Sequence, residues 1–195
     1  SYKLAQIRTQ IKSKRIYDFS IAPQMRVLGQ GKMYYISTYG CQANERDSEN
    51  LAGIMDEMGF VKTEVVEQAD VILINTCAIR QNAEEKVLGE IGNFKRLYRE
   101  NKDLIIGVAG CMAQEEGFVE KLIQKYPQVR LLFGTHNIHD LPQLLYQAMV
   151  EKKRVVQIYS KEGEVYENLP DHRFGKHKAW VNIMYGCDKF CTYCI

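Results

Sequence analysis

The 195 residues contain no apolar run approaching the roughly 18–20 residues that cross a bilayer, and no signal-peptide pattern opens the chain. A membrane protein is not expected. Strong overall charge is missing too, since 26 Lys and Arg stand against 24 Asp and Glu for a net +2. Any attraction for phosphates must therefore come from a local patch. No internal repeat or low-complexity tract is present, and the 46% hydrophobic and 26% charged content is that of an ordinary globular chain. Cysteines number only six, three gaps of more than 30 residues followed by a tight cluster, which is a poor disulfide framework. With no secretory signal, metal ligation in a reducing, cytoplasmic compartment is the better reading.

The charge is concentrated at the start. Residues 1–32 hold seven basic side chains (Lys3, Arg8, Lys12, Lys14, Arg15, Arg26, Lys32) and one acid, Asp18, leaving 19 basic and 23 acidic residues in the rest. The segment reads as a basic N-terminal arm, either solvated and mobile or touching nucleic-acid phosphates; being acid-poor, it also fits a targeting remnant. Ser1 in place of Met reads as a boundary left by processing or truncation.

From residue 33 onward strand-like and helix-like segments alternate. Met33–Thr38, Val71–Ile74, Leu104–Val108 and Val129–Phe133 read as strands, and Val155–Tyr159 as a fifth. Between them lie helical stripes: Leu51, Ile54, Met55 and Met58, with Gly59 as the stop; Val87, Ile91, Phe94 and Tyr98; Phe118, Val119, Leu122 and Ile123, stopped near Pro127. The last stripe is Leu141, Leu144, Leu145 and Ala148, with Asp140 as cap and Pro142 in the first turn. This order specifies an α/β fold, a doubly wound and mostly parallel sheet with helices on both faces, over residues 33–160. Residues 161–176 read as a polar linker. A new strand, Ala179–Tyr185, then begins a second domain over 177–195.

Cys41 follows YYISTYG, Cys77 follows VILINT and Cys111 follows LIIGVAG, so each sits where a strand hands over to a helix. In an open parallel sheet those junctions share the carboxyl edge, and three adjacent strand ends lie within roughly 10 Å. Helix N-termini favour the thiolate that a metal needs, and Gly40 and Gly110 let the backbone approach a bulky ligand. Soft thiolates select zinc or an iron–sulfur cluster, and a three-thiolate site leaves one metal position open. Three buried structural cysteines are the plainer alternative.

Cys187, Cys191 and Cys194 form C-x3-C-x2-C in YGCDKFCTYCI. That spacing wraps a short loop round one cubane cluster and leaves the fourth iron free for a chelating ligand. Zinc usually recruits four ligands, and His172 and His177 do not stand at a zinc-finger spacing. Asn44, Asn75 and Arg80 flank the first cysteines. They fit hydrogen bonds to cluster sulfur or substrate, or else a helix cap, a turn and a surface ion pair respectively. His136 and His139 read as turn or cap residues and Trp180 as core at the domain junction.

The terminal triplet resembles the signature of the radical S-adenosylmethionine enzymes, in which S-adenosylmethionine chelates the open iron and is cleaved by one electron to a 5′-deoxyadenosyl radical. Taken with the preceding domain, TYGCQANERDSE, NTCAIRQNAEEKV, GVAGCMAQEE, FGTHNIHDLP and WVNIMYGCDKFCTYCI resemble the methylthiotransferases, in particular their MiaB-type tRNA branch. The likeness runs over residues 33–195. It implies that Cys41, Cys77 and Cys111 hold an auxiliary [4Fe–4S] cluster whose open iron carries the sulfur to be transferred. It implies that Cys187, Cys191 and Cys194 hold the radical-generating [4Fe–4S] cluster with S-adenosylmethionine. By the same resemblance the substrate is N6-isopentenyladenosine next to the anticodon of tRNA and the product its 2-methylthio derivative. A flavodoxin-type reductant serves as electron donor, and the sulfur donor is unspecified. Residues 177–195 would be the first strand and cluster loop of a radical-enzyme barrel cut short at Ile195, so that this polypeptide alone is inactive. Methylthiotransferases acting on threonylcarbamoyladenosine or on a ribosomal protein remain the near alternatives. An iron–sulfur electron carrier or a zinc-stabilised binding domain is the distant one.

Overall fold

The computed structural model describes residues 14–77, 83–115, 117–158, 164–175, 177, 180 and 181. Its elements are β1 (Lys14–Ile16), α1 (Pro23–Arg26), β2 (Met33–Tyr39), α2 (Gln42–Glu57), β3 (Val61–Lys62), β4 (Val71–Thr76), α3 (Ala83–Glu100), β5 (Ile105–Gly110), α4 (Phe118–Lys125), β6 (Val129–Phe133), α5 (Leu141–Met149), β7 (Val155–Gln157) and β8 (Glu164–Tyr166). No helix among the described residues is long and apolar enough to cross a membrane.

Six strands form one all-parallel sheet in the order β3-β2-β4-β5-β6-β7. Alternate residues of each central strand point to opposite faces, and both faces are dry. Val71, Leu73, Ile105, Leu131 and Phe133 meet Leu51, Ile54 and Met55 of α2 and Leu141, Leu144 and Leu145 of α5. Ile72, Ile74, Ile106, Val108 and Leu132 meet Val87, Ile91 and Phe94 of α3 and Phe118 and Leu122 of α4. Burial on both faces is why β4 and β5 read as continuous apolar runs rather than alternating ones. The β6–α5–β7 connection steps in the same direction as β4–α3–β5 but carries its helix on the other face, so its hand is opposite, against the usual preference.

Three expectations are corrected. Residues 14–32 are not a solvated arm: Ile21 and Met25 are buried, and Phe19 and Leu28 pack on the same core. Their apolar side chains prevail over the basic ones, and Arg26 Nε is held by the Ile21 carbonyl at 3.1 Å. Nor are residues 164–175 a free linker. β8 pairs in parallel with β1, and the Pro170–Asp171 backbone lies on Gly53 of α2. His172 N–H donates to the Glu49 carbonyl at 2.9 Å, and the His172 ring meets Asp56 Oδ2 at 2.5 Å. Finally, Asp140 stands before α5 without capping it, because its carboxylate instead accepts from Gln157 Nε2 at 2.6 Å and Asn137 Nδ2 at 3.2 Å. The fifth strand ends at Gln157, and Ala179–Tyr185 lies outside the described residues apart from Trp180 and Val181, which are not in a strand.

Candidate cysteine site at the carboxyl edge

Helix α2 leaves β2 on one face of the sheet and α3 follows β4 on the other. The crevice between the carboxyl ends of β2 and β4 is therefore the switch point at which open α/β sheets place their ligands. Register puts Tyr39, Thr76 and Gly110 in one row across β2, β4 and β5. Cys77 and Cys111 each follow that row by one residue and Cys41 by two. With strands about 4.8 Å apart, thiols far apart in sequence arrive at one stretch of edge. Cys41 is exposed, Cys77 is buried and Cys111 lies between the two.

Local structure differs at each. Cys41 is the N-cap of α2, a 16-residue helix. Cys111 instead enters a 3-10 turn, Cys111–Gln114, and α4 begins only at Phe118. The helix-dipole expectation therefore applies to Cys41 and fails for Cys111. Residues 78–82, with Arg80, lie outside the described residues, as do Cys187, Cys191 and Cys194.

Two glycines make room for the site. A Cβ on Gly40 would overlap Asn44 Oδ1 and lie 2.8 Å from Cys77 Cβ. Gly110 has a φ of +103°, and a Cβ there would overlap the Thr76 carbonyl oxygen and come within 2.7 Å of Asn75 Oδ1. Backbones can thus close on one another where side chains would hold them apart.

Asn44 and Asn75 are buried between these segments, each 1% exposed. Asn44 Oδ1 accepts the Cys41 backbone N–H at 3.1 Å. Its Nδ2 donates to the Thr76 carbonyl at 2.9 Å and to Asn75 Oδ1 at 3.2 Å. Asn75 Nδ2 donates to the Asn44 carbonyl and to Ser48 Oγ, both at 2.9 Å. Of the two roles foreseen for Asn44, the cap is observed. Asn75 is a strand residue and not a turn, and neither amide has an N–H left for cluster sulfur or substrate. Sequence reading missed Ser48 and Thr76, although polar residues inside a buried run must find partners. Thr76 Oγ1 donates to the Ala109 carbonyl at 2.7 Å, and Ser48 Oγ shares a hydrogen bond with Thr38 Oγ1 at 2.8 Å.

His136 is exposed after β6, while His139 stacks on Tyr166 at 3.6 Å and lies 3.3 Å from Asp140 Oδ1. Trp180 is half-buried. On the α3 face Ser37 Oγ donates to Glu90 Oε1 at 3.0 Å, and burial raises the Glu90 carboxyl above the usual range against the pull of Tyr39 and Ser37.

The donor set suits a soft metal centre, with three thiols along one stretch of sheet edge. Among the described residues no three His, Cys, Asp or Glu side chains already converge as a metal-holding group. Register sets the backbone positions that precede the three cysteines, and Cys41 and Cys111 are the two with solvent access. An iron–sulfur cluster fits these residues on that basis.

A six-stranded parallel sheet with helices on both faces, and cysteines just past the ends of three neighbouring strands, defines an α/β domain of the doubly wound class. Residues 33–134 match the family described as uncharacterized protein family UPF0004. The chain belongs to that family. It is similar to three proteins named tRNA-2-methylthio-N(6)-dimethylallyladenosine synthase. The one from Oceanobacillus iheyensis is 61% identical over 92% of this chain and 34% of that protein. The one from Bacillus licheniformis is 56% identical over 100% of this chain and 38% of that protein, and the one from Bacillus subtilis 58% over 91% and 35%. The chain thus spans a little over a third of the length of these relatives.

Proposed function

We propose that this chain is the sulfur-carrying portion of a tRNA methylthiotransferase, one that converts N6-isopentenyladenosine beside the anticodon to its 2-methylthio derivative. One observation carries the reading. The chain is 54–61% identical to proteins named for that product, along a fold that sets Cys41, Cys77 and Cys111 on three neighbouring strand ends. In this reading those three thiols hold an auxiliary [4Fe–4S] cluster, and Cys187, Cys191 and Cys194 hold a second with S-adenosylmethionine. When bound, the clusters supply transferable sulfur and the electron that cleaves S-adenosylmethionine.

The protein's own part is positional. Buried Cys77 anchors the ligand set, and Cys41 and Cys111 close on it from either side. Met112 and Ala113, both buried, shield the inner side of the Cys111 turn from water. The cytoplasm supplies the reducing setting, with a flavodoxin-type reductant as electron donor.

The test is anaerobic reconstitution with iron and sulfide, followed by counting both per chain. About four irons retained in a Cys191→Ala variant and lost in Cys77→Ala is the expected outcome. Iron that survives loss of Cys77 would overturn the ligand assignment. Assay of 2-methylthio-modified adenosine in tRNA from a strain lacking the full gene tests the substrate; an unchanged level would overturn it.

A further inference from the structure

Burying two asparagines between three candidate ligands is costly unless every polar atom is used. Here all four amide N–H groups of Asn44 and Asn75 are spent on protein acceptors. Their targets are not scattered. Asn44 holds the backbone N–H of Cys41 and the carbonyl of Thr76, whose peptide bond leads into Cys77. Thr76 in turn holds the Ala109 carbonyl through its hydroxyl, and Gly110 packs without a Cβ against Thr76 O and Asn75 Oδ1, one residue before Cys111.

We propose that the Asn44–Asn75 pair is a clamp that fixes the backbones of the three cysteine-bearing strand ends before any cluster binds. Both are positioning residues, acting through Cys41, Cys77 and Cys111; the inference rests on the ligand assignment proposed above. An apolar pair of similar volume would fill the space but would leave the Cys41 N–H and the Thr76 carbonyl without these partners, so the helix could slide relative to the strands. The clamp therefore serves register rather than bulk.

The experiment separates clamp from ligand assignment by reading the apo site as well as the loaded one. In the chain carrying Cys187→Ala, Cys191→Ala and Cys194→Ala, only three thiols remain. Phenylarsine oxide, which needs two close thiols, is titrated into the reduced apo protein. Iron release to a chelator is then timed after anaerobic reconstitution. Asn44→Ala and Asn75→Ala are compared with Gln128→Ala, which removes an equally buried amide bonded at 3.1 Å to the Ile91 carbonyl, away from the site.

The clamp predicts arsenical affinity reduced about tenfold or more in both asparagine variants, with correspondingly faster iron release. Gln128→Ala should keep both values while its melting temperature falls. Parent-like affinity in a folded asparagine variant overturns the proposal, as does an equal loss in Gln128→Ala. If neither asparagine variant folds, Ser48→Ala, which removes one bond to Asn75, must show a smaller loss of the same kind, and parent-like affinity there counts against the clamp. A parent chain that binds the arsenical in an Asn44-dependent way yet takes up no iron upholds the clamp and sinks the cluster reading. Normal iron uptake with no dependence on Asn44 or Asn75 does the reverse.

Discussion

Strand β4 is built from two materials. Val71, Ile72, Leu73 and Ile74 are apolar, fully buried and held by dispersion and the hydrophobic effect on both faces. Asn75 and Thr76 are as deeply buried, yet are held by directional hydrogen bonds that reach α2 on one side and β5 on the other. Strand β5 meets that end through its backbone: after the buried Ile105, Ile106 and Val108, the Ala109 carbonyl accepts from Thr76, and Gly110 leaves no room for a Cβ beside Thr76. The apolar length decides whether the sheet exists, and the polar end decides where three thiols stand. The two functions lie within one strand and can be damaged separately.

The largest expected effect strikes the apolar length. Ile72→Ala removes a fully buried side chain packed under α3 and should cost about 2–5 kcal/mol by chemical denaturation. The surviving folded fraction should bind iron with parent affinity. A variant that folds but has lost the metal would break the proposed separation.

Gly110→Ala comes next and strikes the polar end. A non-glycine residue at a φ of +103° is strained, and its Cβ has no room beside Thr76. A cost of about 2–3 kcal/mol is expected, joined by loss of reconstituted iron. Stability loss without iron loss would show that the row at Gly110 does not govern the site. Gly40→Ala tests the other flank by the same pair of measurements, with iron loss the expected result because its Cβ would collide with Asn44 and Cys77.

How legible each material was in the sequence follows from its physics. Apolar runs and 3.6-residue stripes announce themselves locally, so β2, β4, β5 and β6 were placed within a residue or two and the helices through their apolar stripes, although α2 starts at Gln42, nine residues before Leu51. The three strand-end cysteines could be brought together because parallel topology does so without side-chain detail. β3, β1 and β8 were invisible because two or three residues carry no period, and β1 pairs with a strand at the far end of the chain. Residues 14–32 misled because the seven basic residues of 1–32 drew attention from Phe19, Ile21, Met25 and Leu28. The clamp was half-seen: Asn44 and Asn75 stood out, but their mutual bond depends on register between elements that no local pattern encodes.

The smallest expected effect concerns Asp47, one turn along α2 from Asn44 in the polar half. Burial raises its carboxyl from 3.8 to about 7, opposed only by the neighbouring Arg46 guanidinium. The group is protonated more readily in the folded chain than in the unfolded one. Between about pH 4 and pH 7 the native state therefore binds more protons than the unfolded state, and stability falls as pH rises through that window. Below it the carboxyl is neutral in both states and imposes no ionic cost. Asp47→Asn removes the ionisation while keeping the shape. It should flatten that part of the stability–pH curve and leave the chain more stable at pH 8 by on the order of 1–3 kcal/mol. Urea titrations of both proteins at pH 5 and pH 8 measure the difference; parallel curves would mean that the carboxyl meets enough water to ionise freely. Iron retention should not change, because Asp47 touches none of the bonds that join Asn44, Asn75 and Thr76. A change there would extend the polar end of the molecule one helical turn beyond the clamp.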